Sequence, residues 1–143
     1  MLLAGAAPYR EGVKVLVVDD ARPVRLRFAA LFTSVAGVDE VIEAATTDEA
    51  LDALQVHAPD IVVLDLNLSG GGGPAFVSRV RRDRPVSLLV VVTNQVTEQH
   101  RRQLLALGAD AFFDKSRDFD GVVRLVGSYA ARPSSPTQEG GGG

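Results

Sequence analysis

"VKVLVVDDAR", residues 13–22, runs from a Val-rich apolar segment straight into two adjacent carboxylates, Asp19 and Asp20. An apolar, β-branched run of this kind reads as a strand buried on both faces. Its end poses a physical problem. Two like charges a few ångströms apart, with little water between them, raise each other's pKa and oppose folding unless positive charge sits among them. A metal ion is the expected source of that charge.

The apolar signature recurs along the chain. "VDEVIEA" (Val38–Ala44), "IVVLD" (Ile61–Asp65), "VSLLVVVT" (residues 86–93) and "AFF" (residues 111–113) follow at regular intervals. Between them, apolar residues repeat with helical spacing: Val24, Phe28 and Leu31, then Leu51 and Leu54, then Leu104 and Leu107. Pro23 suits a first helical turn, "TTDE" (residues 46–49) reads as a capping box, Pro74 can open a third helix, and Gly108 stands where a left-handed cap belongs. A last helix is expected from about Phe119 to Tyr129, with Val122, Val123 and Val126 on one face. Strand then helix, five times over, predicts an α/β fold, because strands separated by helices pair in parallel and continuous apolar strands need cover on both sides. Right-handed crossovers leave few topologies. Ligands in such sheets lie outside the carboxyl ends of the strands, where Asp19, Asp20, Asp65 and Thr93 all fall.

With 143 residues, 46% of them hydrophobic, the chain suits one domain with a real core. Its net charge of -3 disfavours direct nucleic-acid binding. The absence of cysteine rules out disulfides and thiolate metal sites, and two histidines, His57 and His100, cannot build a histidine-rich zinc site. "MLLAGAAPYR" (residues 1–10) has no basic n-region and breaks at Pro8, so it makes a poor secretion signal. No apolar run reaches the length of a membrane helix. A soluble cytoplasmic protein is expected. Residues 1–12 read as an N-terminal extension, 13–130 as the folded domain, and 131–143, rich in Pro, Ser and Gly, as a disordered tail. "GGGG" (residues 70–73) reads as a flexible loop, and "RVRRDRP" (residues 79–85) as a solvated helix end favoured by the helix dipole.

Asp65 ends the third predicted strand as Asp19 and Asp20 end the first, so three carboxylates are expected to converge at one edge of the sheet. Oxygen-only ligands of this kind favour Mg²⁺ or Mn²⁺ over softer metals. A carboxylate beside Mg²⁺ can also attack phosphorus and give an aspartyl phosphate, a reaction in which positioning and electrostatics supply most of the catalysis. Thr93 adds a hydroxyl at the end of the fourth strand, and Lys115 an ammonium after the fifth that can pair with a phosphoryl oxygen. Taken singly, a paired Asp can cap a helix, Thr93 is an ordinary strand residue and Lys115 a surface lysine. The signal is their joint placement at the ends of successive strands, with the second skipped.

"LVVDD" (residues 16–20), "IVVLDLNL" (61–68), "VVVTN" (90–94) and "GADAFFDKS" (108–116) together resemble the receiver domain of two-component response regulators. The resemblance spans roughly residues 13–129. It implies a single-domain receiver built on a doubly wound, flavodoxin-like, five-stranded parallel sheet of strand order 2-1-3-4-5 with helices on both faces. It further implies that Asp65 is the phosphoacceptor in a phosphorelay, supplied by a histidine kinase or histidine phosphotransfer protein, with Thr93 and Lys115 engaging the phosphoryl group. Asp19, Asp20, Asp65 and the backbone carbonyl of Asn67 match the Mg²⁺ ligands. Thr93 and Phe112 match the switch pair, in which the aromatic swings inward on activation. Arg22, Val24 and Arg25 fall where receivers often meet their kinase. What is implied is no ordinary enzyme but a phosphoacceptor that assists its own phosphorylation and dephosphorylation.

The sequence departs from the family at several places. Ser116 replaces the Pro that usually follows the lysine, often through a cis peptide; a cis bond before serine costs about 3 kcal/mol, so this loop is expected to differ. Ser69 and its glycines replace a Pro-Gly-Met-containing turn, and Asn94 stands where a smaller residue is usual. Two other classes compete. A phosphohydrolase working through an aspartyl phosphate usually carries its nucleophile on the first strand with a second Asp two residues later, a spacing Asp19-Asp20-Ala21 lacks. A phosphorylation-independent interaction domain would have no need of the full set Asp19, Asp20, Asp65, Thr93 and Lys115.

Overall fold

Five strands form one parallel sheet: β1 (Val13–Val18), β2 (Val38–Ala44), β3 (Ile61–Asp65), β4 (Leu88–Thr93) and β5 (Ala111–Asp114), side by side in the order β2-β1-β3-β4-β5. The computed structural model describes residues 12–68, 73–83, 86, 88–94 and 97–131, without the side chains of residues 83 and 100. The expectations for residues 1–11, for Ser69 and residues 70–72, and for the tail from residue 132 lie outside the described residues. Helices α1 (Arg22–Thr33), α2 (Thr47–His57), α3 (Pro74–Asp83), α4 (Glu98–Ala106) and α5 (Phe119–Ala131) alternate with the strands. This is the doubly wound architecture that the alternating pattern predicts.

Because side chains alternate across a strand, each central strand feeds two cores. Val15, Val17, Ile61, Val63, Val90 and Val92 face one way and meet α1 and α5 through Phe28, Phe32, Val122 and Val126. Leu16, Val18, Val62, Leu64, Leu89 and Val91 face the other way, toward α2, α3 and α4. β2 is an edge strand in which only Ala44 is fully buried, which explains why "VDEVIEA" alternates where its neighbours are continuously apolar.

The helix faces and ends show where single-sequence spacing misleads. In α1 the fully buried pair is Phe28 and Phe32, four residues apart, while Leu31 is only partly buried. The reason is that α1 packs on α5 as well as the sheet: the Phe28 ring stacks on Phe32 at 5.4 Å and on Phe119 at 4.2 Å. At α2 the Thr46 hydroxyl accepts from the Glu49 N–H (3.1 Å), and the Glu49 carboxylate reaches back to the N–H of Ala45 (2.7 Å), one residue before the cap. α4 ends in a Schellman turn, with Ala109 N–H donating to the Leu104 carbonyl and Gly108 N–H to that of Leu105. Gly108 sits at φ +118°, and a Cβ there would lie 2.7 Å from Arg81 Cγ, so both its conformation and its contact exclude a side chain.

β4 begins at Leu88, two residues later than its apolar run predicts, and the Val86 carbonyl ahead of it accepts from Arg81 (2.7 Å). Arg81 is no solvated helix-end residue. Its guanidinium also donates to the Gly108 carbonyl (2.9 Å) and to the Asp110 carboxylate, which in turn accepts from the Leu89 N–H (2.8 Å). One side chain of α3 thereby ties together the start of β4 and the turn between α4 and β5.

Candidate functional site

Strand order places β3 between β1 and β4, and the register pairs Val18 with Leu64, so the next residues, Asp19 and Asp65, lie side by side. Lys115, just beyond β5, brings its ammonium between them, with Nζ 2.9 Å from Asp19 Oδ2 and 3.1 Å from Asp65 Oδ2. Asp19, Asp65, Thr93 and Lys115 are all buried, and Asp20 is exposed. Asp19 Oδ1 accepts from the Ala21 N–H (2.8 Å) and from Lys115 Nζ (3.2 Å). Asp65 Oδ1 accepts from the Asn67 N–H (3.1 Å), and the Asn67 side-chain amide donates to the Thr93 hydroxyl (3.2 Å). The predicted Asp19, Asp65, Asn67, Thr93 and Lys115 are therefore joined by direct contacts, with Asp20 beside them at the rim.

Burial pushes the Asp19 carboxyl above its ordinary pKa, against the pull of Lys115 and the Ala21 N–H, and the Asp65 charge adds to the rise. Ionised Asp19 thus opposes folding: the stability this group contributes is present at low pH and lost as pH rises through its folded value. Burial works against the Lys115 ammonium too, but its hydrogen bonds and charge pairing with Asp19 and Asp65 outweigh that, and its pKa lies above the usual lysine value. The stabilisation from Lys115 is therefore complete across neutral pH and is lost only in strong alkali.

The donor set suits a hard cation. Asp19, Asp20 and Asp65 each offer a carboxylate oxygen, and these oxygens lie within 4.8 Å of one another. Asp19 Oδ2 is buried and accepts no well-directed hydrogen bond, despite the ammonium 2.9 Å away. A buried anionic oxygen with unused lone pairs, facing two further carboxylates, is what Mg²⁺ coordination would satisfy.

Other residues singled out in the sequence lie apart from this pocket or behind it. Phe112 is buried in the same core cluster as Leu89, Val91 and Leu104. Ser116 carries no cis peptide, none being present among the described residues; instead its N–H and hydroxyl both bond the Asp114 carboxylate (2.9 and 2.8 Å). These bonds hold the Asp114 carboxyl below its usual pKa. His57 lies 3.6 Å from Glu40 and has no part in the pocket. Arg25, which the resemblance placed only where receivers often meet their kinase, is also a neighbour of the pocket: it donates to the Asp19 carbonyl (2.9 Å) and pairs with Glu43 (3.0 Å). Nothing in the sequence marks that pair, since it depends on β2 lying beside β1.

Residues 15–126 match the family described as the response regulator receiver domain. The chain belongs to that family. Receivers of two-component response regulators are generally phosphorylated on an aspartate and act as signalling modules. Among curated relatives, response regulator Rre1 of Synechocystis is 33% identical over 91% of this chain and 57% of its own length. Response regulator GacA of Pseudomonas aeruginosa is 27% identical over 80% of this chain and 53% of its own. A protein-glutamate methylesterase/protein-glutamine glutaminase of Geobacter metallireducens is 33% identical over 69% of this chain but only 28% of its own. The receiver thus spans little more than half, or far less, of the curated relatives it matches. Among solved structures, the receiver domain of the response regulator NarL from Mycobacterium tuberculosis superposes with a TM-score of 0.74 at 26% identity, covering 84% of this chain and 97% of that one. Among the described residues no helix is long and apolar enough to cross a membrane.

The crowding of carboxylates in this receiver has a measurable consequence. Mg²⁺ should stabilise the fold by mass action, by about 2.7 kcal/mol at a hundredfold excess over its Kd, and Asp20→Asn should raise the melting temperature of the metal-free protein by removing one of three like charges. Thermal melts with and without millimolar Mg²⁺ test both. A wild-type melting temperature indifferent to Mg²⁺ would count against a cation site.

Proposed function

We propose that this receiver accepts a phosphoryl group on Asp65 from the phosphohistidine of a histidine kinase or histidine phosphotransfer protein, and that the modification switches a protein-binding face. The observation that carries this reading is the buried Lys115 ammonium spanning Asp19 and Asp65, with the Thr93 hydroxyl linked to Asp65 through Asn67. One Asp65 oxygen forms the bond to phosphorus as the phosphorus–nitrogen bond breaks, and the electron pair stays on the donor imidazole, which takes up a proton. The Asn67 N–H orients the carboxylate. Lys115 and Thr93 supply an ammonium and a hydroxyl to phosphoryl oxygens, charge-assisted bonds in a site from which water is largely excluded. Asp19, Asp20, Asp65 and the Asn67 carbonyl would hold Mg²⁺, or Mn²⁺, whose charge offsets that of the transferring group when it is bound. The domain so defined spans residues 13–130 and works in the cytoplasm, with its output carried by another protein or another part of a longer chain.

Incubation with acetyl phosphate and Mg²⁺, followed by intact mass measurement and peptide mapping, tests this directly. The expected result is a gain of one phosphoryl mass on the peptide containing Asp65. No gain at any Mg²⁺ concentration would leave an interaction domain independent of phosphorylation.

Switching should use a different group from acceptance. A phosphoryl group on Asp65 offers the Thr93 hydroxyl a new acceptor; its displacement opens space behind β4, where Phe112 packs. Both arrangements pre-exist, and the modification shifts their populations by differential contact. In wild type, amide NMR shifts caused by beryllofluoride, a phosphoryl mimic, should spread from Asp65 to residues 99–107 and Phe112. In Thr93→Ala they should stay near Asp65, although Asp65 still accepts phosphate. Equal spread in both proteins would rule out the coupling.

A further inference from the structure

The geometry points to Arg25 as a positioning residue for the acidic pair: its guanidinium, oriented by Glu43, holds the peptide that joins Asp19 to Asp20 so that both carboxylates face one divalent cation. This rests on the cation site argued above and adds residues outside it. Arg25 lies in the first turns of α1, with its side chain only 14% exposed. Its Nη1 donates to the Asp19 carbonyl at 2.9 Å, and its Nε to Glu43 Oε1 at 3.0 Å. That carbonyl belongs to the peptide leading into Asp20. Its orientation sets the direction in which the exposed Asp20 side chain leaves the backbone.

The hold adds to the hydrogen bonds that fix the neighbouring groups of this turn. The Asp19 N–H donates to the Ala44 carbonyl at 3.0 Å, and its Oδ1 accepts from Ala21 and Lys115. Arg25 in addition grips the peptide that links Asp19 to Asp20. Glu43, paired in register with Val17 of β1, keeps the guanidinium from turning away into solvent. The edge strand β2 thereby acts on the pocket although it contributes no residue to it.

Charge and position predict opposite signs. As a cation, Arg25 repels a bound metal ion, so removing it would tighten binding. As a clamp on a neighbouring ligand, its loss should weaken binding, as the loss of residues that orient metal ligands generally does. The test is titration of the ¹⁵N-labelled full chain with MgCl₂, following the Asp20 and Asn67 amides in wild type, Arg25→Met, Arg25→Lys and Glu43→Gln. Arg25→Met should bind Mg²⁺ about tenfold more weakly, with Arg25→Lys and Glu43→Gln between it and wild type. If Arg25→Met fails to fold, Glu43→Gln decides by the same criterion. Affinity equal to or tighter than wild type overturns the positioning role and leaves the cation site standing. A wild-type protein whose amides ignore Mg²⁺ overturns the cation site and the inference together.

Discussion

Asp65→Asn should take up no phosphoryl group from acetyl phosphate and Mg²⁺ under conditions that load the wild-type chain completely. The side chain keeps its size and its place beside Lys115, but an amide offers no anionic oxygen to attack phosphorus. Two other carboxylates are near enough to substitute, so the prediction turns on topology. Asp19 follows β1, on the side of β3 remote from β4, whereas Asp65 ends β3 itself and is linked through Asn67 to Thr93. A phosphoryl group on Asp65 is flanked by Lys115 and Thr93 together; on Asp19 it would lack the hydroxyl, and on Asp20 it would stand in solvent. Mass measurement of both proteins at matched times decides the matter. A variant that gains the phosphoryl mass at the wild-type rate places the acceptor elsewhere.

Lys115→Met should be the most destabilising single change in the pocket, by about 3 kcal/mol at neutral pH without divalent cations. The methionine stem fills the same channel, but Asp19 and Asp65, with side chains 1% and 4% exposed, are left facing each other with no charge between them. The sign of the pH dependence follows. Asp19 already ionises with difficulty because it is buried, and losing Lys115 raises its folded pKa further. Stability should then recover as pH falls and a proton replaces the ammonium, and worsen as pH rises toward neutrality. Mg²⁺ should restore much of the loss, giving the variant a larger metal-induced rise in melting temperature than wild type. A variant as stable as wild type at pH 7 in EDTA would show that Lys115 does not neutralise the pair.

The site was legible because its residues sit at ends of strands, where periodicity stops abruptly. Asp19, Asp65 and Thr93 each terminate a Val-rich run, and the α/β alternation alone sends those ends to one edge of the sheet. The fold was legible for the same reason. Contacts between elements were not. Leu31 and Phe32 are adjacent apolar residues, and only the assembled core, in which Phe32 lies with sheet residues and with Val122 and Val126 of α5, separates the buried one from the partly buried one. Arg81 looked like one arginine among several, because the Val86 and Gly108 carbonyls that it reaches come from turns whose geometry no local pattern reveals. Arg25 and Glu43 lie 18 residues apart and meet only because β2 pairs with β1. Side chains that act through a neighbouring strand leave no periodic trace.

The hold that Arg81 exerts on the turn after α4 gives that helix a fulcrum. Gly108 and Asp110 are tied by hydrogen bonds to α3 and to the start of β4, so the C-terminal end of α4 is anchored. Its first turn, by contrast, follows the segment that leaves Thr93. Nine residues make α4 about 13 Å long, and a tilt of about ten degrees around the pinned end carries the opposite end through about 2 Å. A displacement of the Thr93 hydroxyl of the kind proposed above would then be read out as an angular swing of a helix, largest at Glu98 and vanishing toward Gly108.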